Sequence, residues 1–202
     1  ATSRSERNTL ESRVTHYLQQ SSRHRRAYVV HRLDRGVSGL LVLAKSPQVL
    51  GQLRDQFRAR KPQRLYIAIV SGRLQPAAGT FRSFLQTADN LDQYSTPEEG
   101  QGLLAITHYR VQRLLPDASV VEVRLETGRR NQIRVHLAEA GHPVLGDPRY
   151  GGRAAHHARW RGNRLALHAL SLGLQHPVTG RPLRFTSELP DGMQQFISRS
   201  IA

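Results

Sequence analysis

The chain has 202 residues, the size of one domain or of one domain with a small appendage. Lysine and arginine number 30 against 15 aspartates and glutamates, a formal net charge of +15, and arginine supplies 28 of the 30 cations. The absence of cysteine excludes a disulfide scaffold, a thiol nucleophile and thiolate zinc sites. No apolar stretch approaches the roughly 20 residues of a spanning helix, and residues 1–4 carry no apolar signal core. This balance points to a cytoplasmic protein facing a polyanion. Planar guanidinium groups suit phosphates and stacked bases. A membrane surface attracts arginine too, but no basic helix with a Trp/Leu face is present, so nucleic acid is the expected partner.

Residues 1–27 are polar and arginine-rich, with one helical stretch marked by Leu10, Val14 and Leu18; Asn8 and Glu11 are read as its capping pair. Tyr28–Val30 reads as a short strand and Leu40–Ala44 as a second, buried one. Ser46 and Pro47 are a helix cap and first-turn proline, and the helix runs through Leu50, Leu53 and Phe57 to a stop before Pro62. Leu65–Val70 is a strand with both faces apolar. Residues 73–102, rich in glycine and proline, read as loops around one short strand. Ile106–Leu114 and Ser119–Glu126 bracket Pro116-Asp117 as a hairpin, whose second arm alternates Val121, Val123 and Leu125 with charged residues. Residues 131–140 have helical spacing, closed by Gly141. Leu165–Leu174 and Leu183–Phe185 flank a second turn at residues 177–180. The expected fold is α+β, a mixed, mainly antiparallel central sheet with flanking helices. A polar N-terminal segment, 1–27, would precede the main domain, 28–202.

Three residues stand out chemically. Asp34 follows an apolar strand and sits among Arg32, Arg35 and Gly36. Neighbouring positive charge favours a carboxylate anion, which can act as nucleophile, as base or as half of an ion pair; composition favours the ion pair. Arg134 lies at the edge of an apolar helix face, and a partly buried arginine needs an anionic partner. Tyr66, in the apolar strand, is either a core tyrosine or a ring for a base to stack on. The ten histidines show no compact ligand pattern with carboxylates, and no Walker loop, dinucleotide fingerprint or Gly-x-Ser-x-Gly elbow occurs. No metal is therefore expected. Arg153, Arg159, Trp160 and Arg161 are open to two readings, a grip on an RNA stem or a packed loop.

The stretch His31-Arg32-Leu33-Asp34-Arg35-Gly36-Val37-Ser38-Gly39-Leu40-Leu41-Val42-Leu43-Ala44-Lys45 resembles the signature of the RluA-type pseudouridine synthases. Three further blocks follow in the family's order. They are Arg64-Leu65-Tyr66-Ile67-Ala68 with Gly72, then Gly128–Leu137 continued by Gly141–Gly151, and Arg164–Ala169. The resemblance runs from about residue 28 to about residue 187 and implies an α+β domain with a central catalytic cleft.

Carried over by motif position, Asp34 is the catalytic aspartate, Tyr66 the active-site tyrosine and Arg134 the arginine that pairs with the aspartate. Arg32 is the arginine that flips and holds the target nucleotide, Leu167 lines the uracil pocket, and Arg129, in the second block, binds substrate. The implied reaction isomerises uridine to pseudouridine in structured RNA, ribosomal first. Transfer RNA, or a non-catalytic RNA-binding or ribosome-assembly role on the same fold, are the alternatives. The reaction is redox-neutral and takes nothing from solution, so no cofactor is expected; the protein would act as a monomer. This chain departs from the family pattern at Val37 (Thr), Arg64 (Lys) and Arg130-Asn131 (Thr-His). The Lys-Pro-x-Gly block that ordinarily precedes His31 is not found, nor is an upstream S4-type RNA-binding domain.

Overall fold

A computed structural model of the chain describes residues 9–162 and 164–200. In chain order the elements are α1 (Leu10–Gln19), β1 (Tyr28–Val29), β2 (Ser38–Gly39), β3 (Leu43–Ala44), α2 (Pro47–Arg58), β4 (Gln63–Ser71), β5 (Ala78–Thr87) and β6 (Gln93–Thr96). They continue with β7 (Leu103–Leu114), β8 (Ala118–Leu125), α3 (Gln132–Glu139), a 3-10 turn (Gly152–Ala155), β9 (Leu167–Gln175), β10 (Pro182–Thr186) and α4 (Asp191–Arg199). The described residues fall into two compact units, one made of 9–33, 41–62 and 173–184, the other of 34–40, 63–172 and 185–200.

In the first unit β1 and β3 pair antiparallel and α2 packs against both. Ser46 caps α2 through Val49 N–H, with Pro47 in the first turn, as its sequence dictates. The observed cap of α1 is Thr9, which exchanges bonds with Ser12 in a capping box. Asn8, read as the cap from the sequence, lies outside the described residues. The apolar run from Leu40 to Ala44 is not one strand. Leu40 N–H bonds to Ala169 in the second unit, Val42 N–H bonds to the His31 ring in the first, and only Leu43–Ala44 pairs as strand.

The second unit holds most of the sheet. Among the described residues the strand order is β10-β9-β4-β8-β7-β5-β6, with β2 joining β9 in parallel. The β4–β8, β8–β7, β7–β5 and β5–β6 pairs are antiparallel. The architecture is thus α+β with a mainly antiparallel sheet, as the sequence implies. Residues 73–102 differ from their reading as loops around one short strand: they form the ten-residue β5 and the edge strand β6. β5 is polar on its outer positions, so its sequence alternation is weak; eight consecutive pairs with β7 define it instead. α4 also escapes the sequence pattern, and it buries Met193 and Phe196.

Ile69, Val70, Val121, Val123, Val135, Leu137, Val144 and Leu145 are fully buried and form the second unit's core. Each such side chain contributes on the order of 2 kcal/mol by leaving water. The segment 143–145 is laced to β4: Ser71 N–H bonds to Pro143, and Leu145 N–H bonds to Ile69. α3 packs on β6 and β7 through a buried polar chain. Ser95 and Ser83 hydroxyls lie 2.9 Å apart, Ser83 lies 2.9 Å from His136 Nε2, and His136 Nδ1 lies 2.8 Å from Thr107. Gln132 then joins Thr107 to Thr127 at 2.9 and 2.8 Å. Burial pushes the His136 pKa down from 6.5 to about 4, so the neutral ring completes this chain.

β2 depends on Gly39. Its φ of +105° is open to glycine, and a Cβ there would run into the Ala169 backbone. Gly39→Ala is expected to cost at least about 2 kcal/mol, read as a lower urea midpoint. A second expectation concerns acid. Between pH 6.5 and about 4 the unfolded His136 binds a proton that the folded one excludes, so stability falls as pH is lowered through that window. The effect is on the order of 3 kcal/mol. Urea titrations of wild type and His136→Gln across the window should show the shallower pH dependence in the variant.

Candidate active site

Asp34 is half-buried in a turn closed by Val37 N–H on its carbonyl, immediately ahead of β2. Ser38 and Gly39 pair with His168 and Ala169, and the Ser38 hydroxyl lies 2.9 Å from His168 Nδ1. That pairing draws the Asp34 segment alongside the start of β9, where buried Leu167 precedes His168. Tyr66 sits mid-β4 and is buried; its register partner is Val123, which pairs in turn with Tyr109 of β7. Tyr66 and Tyr109 therefore share the sheet face on which α3 lies, because Tyr109 stacks on Phe81 and Phe81 meets His136.

Arg134 enters this face from α3 and is 7% exposed. Its fork is bidentate to Asp147, Nε to Oδ2 at 2.7 Å and Nη2 to Oδ1 at 2.8 Å. Nη1 donates to Asn131 Oδ1 at 2.9 Å, and the guanidinium carbon stands 4.9 Å from the centre of the Tyr150 ring. The sequence reading gives Arg134 to Asp34. In the structure the fork is bidentate to Asp147, and the Asp34 charge acts on Arg134 as well.

The electrostatics tie three chain-distant residues together. Burial alone would lower the Arg134 pKa, but the bond and charge of Asp147, followed by the charge of Asp34, hold it above the ordinary arginine value. The Tyr66 phenol is pushed up, chiefly by burial; the Arg64 charge opposes this and the Asp34 charge adds to it. Tyr66 thus keeps its proton at neutral pH. Burial lowers the Arg64 pKa, and its Nη2 donates to the Thr127 carbonyl at 3.2 Å. For Asp147, burial alone would raise the pKa, but the Arg134 bond and the N–H groups of Tyr150 and Arg149 hold it below the ordinary range.

The Asp34 charge therefore acts on both Tyr66 and Arg134. Arg129, in the chain's second motif, is half-buried, its Nε bonded to Leu104 C=O and its N–H to Gln132 Oε1. Arg32 is exposed, in the first unit. Asp147, Asn131 and Tyr150 escape the sequence reading of the site. Their signal was in view, since Asp147 and Tyr150 lie in the Gly141–Gly151 block, but nothing local marks them as partners of Arg134. Asn131 is one of the departures from the family pattern, and it touches Arg134 directly. Trp160 is a packed loop residue: its Nε1–H bonds to the Arg164 carbonyl and its ring meets Phe196 edge-on. Among the described residues no group of His, Asp and Glu could hold a metal ion, and no helix is long and apolar enough to cross a membrane.

The family model for RNA pseudouridylate synthases matches residues 1–139. Ribosomal large subunit pseudouridine synthase D of Zymomonas mobilis is 41% identical over 170 residues, covering 82% of this chain and 54% of that protein. Its counterpart in Xanthomonas campestris is 39% identical over 182 residues, 86% of this chain and 54% of that protein. An uncharacterised RNA pseudouridine synthase of Chloroflexus aurantiacus is 45% identical over 169 residues, 82% and 51% respectively. The chain spans about half the length of these relatives. Among solved structures, human RNA pseudouridylate synthase domain containing 4 superposes with a TM-score of 0.80 at 23% identity, over 97% of this chain and 85% of that one. Four motif blocks in order, a matching family model and relatives above 30% identity agree: the chain belongs to the RluA-type RNA pseudouridine synthase family.

Proposed function

We propose that the protein isomerises uridine to pseudouridine within structured RNA, with ribosomal RNA as the substrate class. The observation that supports this reading is that Tyr66 lies on the sheet face on which α3 lies, α3 carries Arg134, and the Asp34 charge acts on both residues. In the isomerisation the N1–C1′ bond breaks, the uracil turns, and C5 bonds to C1′. The proton on C5 leaves and N1 gains one, so atoms and electrons balance. The Asp34 carboxylate acts at the ribose, as nucleophile at C1′ or as base at C2′. Arg134 presents positive charge to the carboxylate throughout. Tyr66 offers its ring face to the uracil, and Leu167 contributes apolar surface.

The target nucleotide must leave its stack to reach a half-buried carboxylate, which costs a few kcal/mol before chemistry. Arg32, by its place in the motif, holds the everted nucleotide, and Arg129, by its place in the second block, contributes to substrate binding. The net charge of +15 supplies the long-range attraction to RNA. The names of the Zymomonas and Xanthomonas relatives support ribosomal RNA over transfer RNA.

Release of tritium from ribosomal RNA carrying 5-tritiated uridine tests the reading. Wild type should release it, and Asp34→Asn should slow release by about 10⁴-fold, the scale of losing a group that acts in the reaction itself. RNA affinity of the variant should stay within a factor of about 3, since it loses one anion facing a polyanion. Release by Asp34→Asn at the wild-type rate would remove Asp34 from its role. Tight, salt-sensitive binding by wild type with no release would leave the non-catalytic reading, and release from transfer RNA alone would change the substrate class.

A further inference from the structure

Between Asp147 and Glu188 the chain carries seven arginines and no aspartate or glutamate. Three of them, Arg153, Arg161 and Arg164, lie in the connection from the 147–150 turn to β9, and all three are exposed. Among the described residues none of their side chains has a hydrogen bond or an ion pair. The connection itself is firmly held. Asp117, in the β7–β8 turn, takes Arg159 Nη2 at 2.8 Å and His157 Nε2 at 3.1 Å on one carboxylate oxygen. The rings of His157 and Trp160 meet Phe196 of α4 edge-on, with centres 4.9 and 5.9 Å apart. Trp160 Nε1–H bonds to the Arg164 carbonyl, Gly146 N–H bonds to the Ala155 carbonyl, and a Cβ on Gly146 or Gly162 would run into the Trp160 ring.

The end of this connection abuts the Asp34 turn. A Cβ on Gly36 would stand 3.3 Å from Cγ of Leu165, the residue after Arg164, and 3.5 Å from its backbone nitrogen. Arg35, in the same turn, is exposed and likewise has no side-chain partner among the described residues. Four guanidinium groups without a carboxylate thus line one pinned connection and the turn beside it, all within the second unit. Like charges gathered at a surface repel one another and add nothing to folding, whereas a planar fork with free N–H groups suits phosphate oxygens. An RNA strand whose everted nucleotide reaches the Asp34 turn carries its neighbouring phosphates past this rim. A membrane surface would call for an apolar anchor beside the charges, and the one large apolar ring of the connection, Trp160, is committed to Phe196.

We infer that the 153–164 connection is a phosphate track for RNA: Arg153, Arg161 and Arg164, continued by Arg35, bind the backbone on one side of the target uridine, while Arg159 and Trp160 hold the track in shape. This rests on the RNA reading proposed above and adds where on the surface the strand is held.

The test measures affinity for a ribosomal RNA transcript against salt concentration, on the full chain. It compares wild type with two triple variants, Arg153→Gln/Arg161→Gln/Arg164→Gln and Arg82→Gln/Arg110→Gln/Arg124→Gln. All six side chains are exposed, and the second set removes the same three charges from the sheet face turned away from α3. The first variant is expected to weaken binding by about 100-fold at physiological salt and to flatten the slope of log Kd against log salt by about 2 to 3, roughly one for each lost phosphate contact. The second should change the slope by less than about 1. At saturating RNA the first variant should keep kcat for tritium release within about twofold, because the loss falls on KM. Equal slopes for the two variants would assign the effect to net charge and overturn the inference, as would wild-type affinity in the first variant. Loss of binding to phosphatidylserine vesicles by the first variant, with RNA affinity unchanged, would give the track to a membrane and overturn it too. Wild type and variants that follow the expected slopes without any tritium release uphold the track and strike the isomerase reading alone. A wild-type chain with no salt-dependent RNA affinity strikes both.

Discussion

The buried pair between Arg134 and Asp147 is the constraint around which the second unit is arranged. A guanidinium and a carboxylate this far from water persist only with good geometry and full hydrogen bonding, because each left alone carries a desolvation penalty of several kcal/mol. The chain meets that condition from three directions. α3 supplies Arg134 and its cap residue Asn131, the 147–150 turn supplies the carboxylate and the Tyr150 ring, and β6 supplies the Gln93 N–H that fixes the Tyr150 hydroxyl. The outer end of the turn is anchored as well, through the Arg149 pair with Asp92. A single charge pair thus ties a helix, a turn and an edge strand to one orientation.

The sheet provides the rigid background. Tyr66, Val123, Tyr109 and Gly79 form one cross-strand row through β4, β8, β7 and β5, and the Tyr109 ring lies over Gly79 where no side chain intervenes. α3 lies on that row, and its first turn is set by Gln132, whose amide spans Ile106, Thr107 and Thr127. The polar chain from Ser95 to Thr127 is satisfied at each member, which is the condition under which buried polar groups specify a structure rather than weaken it. The start of α3, and with it Arg129 and Arg134, inherits its position from that chain.

Some of this was legible residue by residue. The Ser46-Pro47 start of α2, the alternation of β8 and the Gly141 stop after α3 are local signals, and the structure follows them because their partners are chain neighbours or water. Other elements were not. β5 has polar outer positions and a glycine, so only its ladder with β7 makes it a strand. Leu40–Ala44 has the composition of one strand, yet its backbone donors go to Ala169 and His31. Trp160 offered two readings on composition, and its contacts with Phe196 and the Arg164 carbonyl are tertiary facts that no local pattern carries.

By itself the sequence determined the family, the type of each well-patterned element and the identity of Asp34, Tyr66 and Arg134 as residues of interest. Those properties reside in short segments, where residue type and spacing carry the information. The tertiary structure alone decided who partners whom. It gave the Arg134 fork to Asp147, set Asn131 and Tyr150 around the same guanidinium, and brought the Asp34 charge to act on it as well. The reason is physical. A charge has no preferred partner along the chain, and its partner is whichever opposite group the packing of strands and helix brings within about 3 Å in a place that water cannot reach.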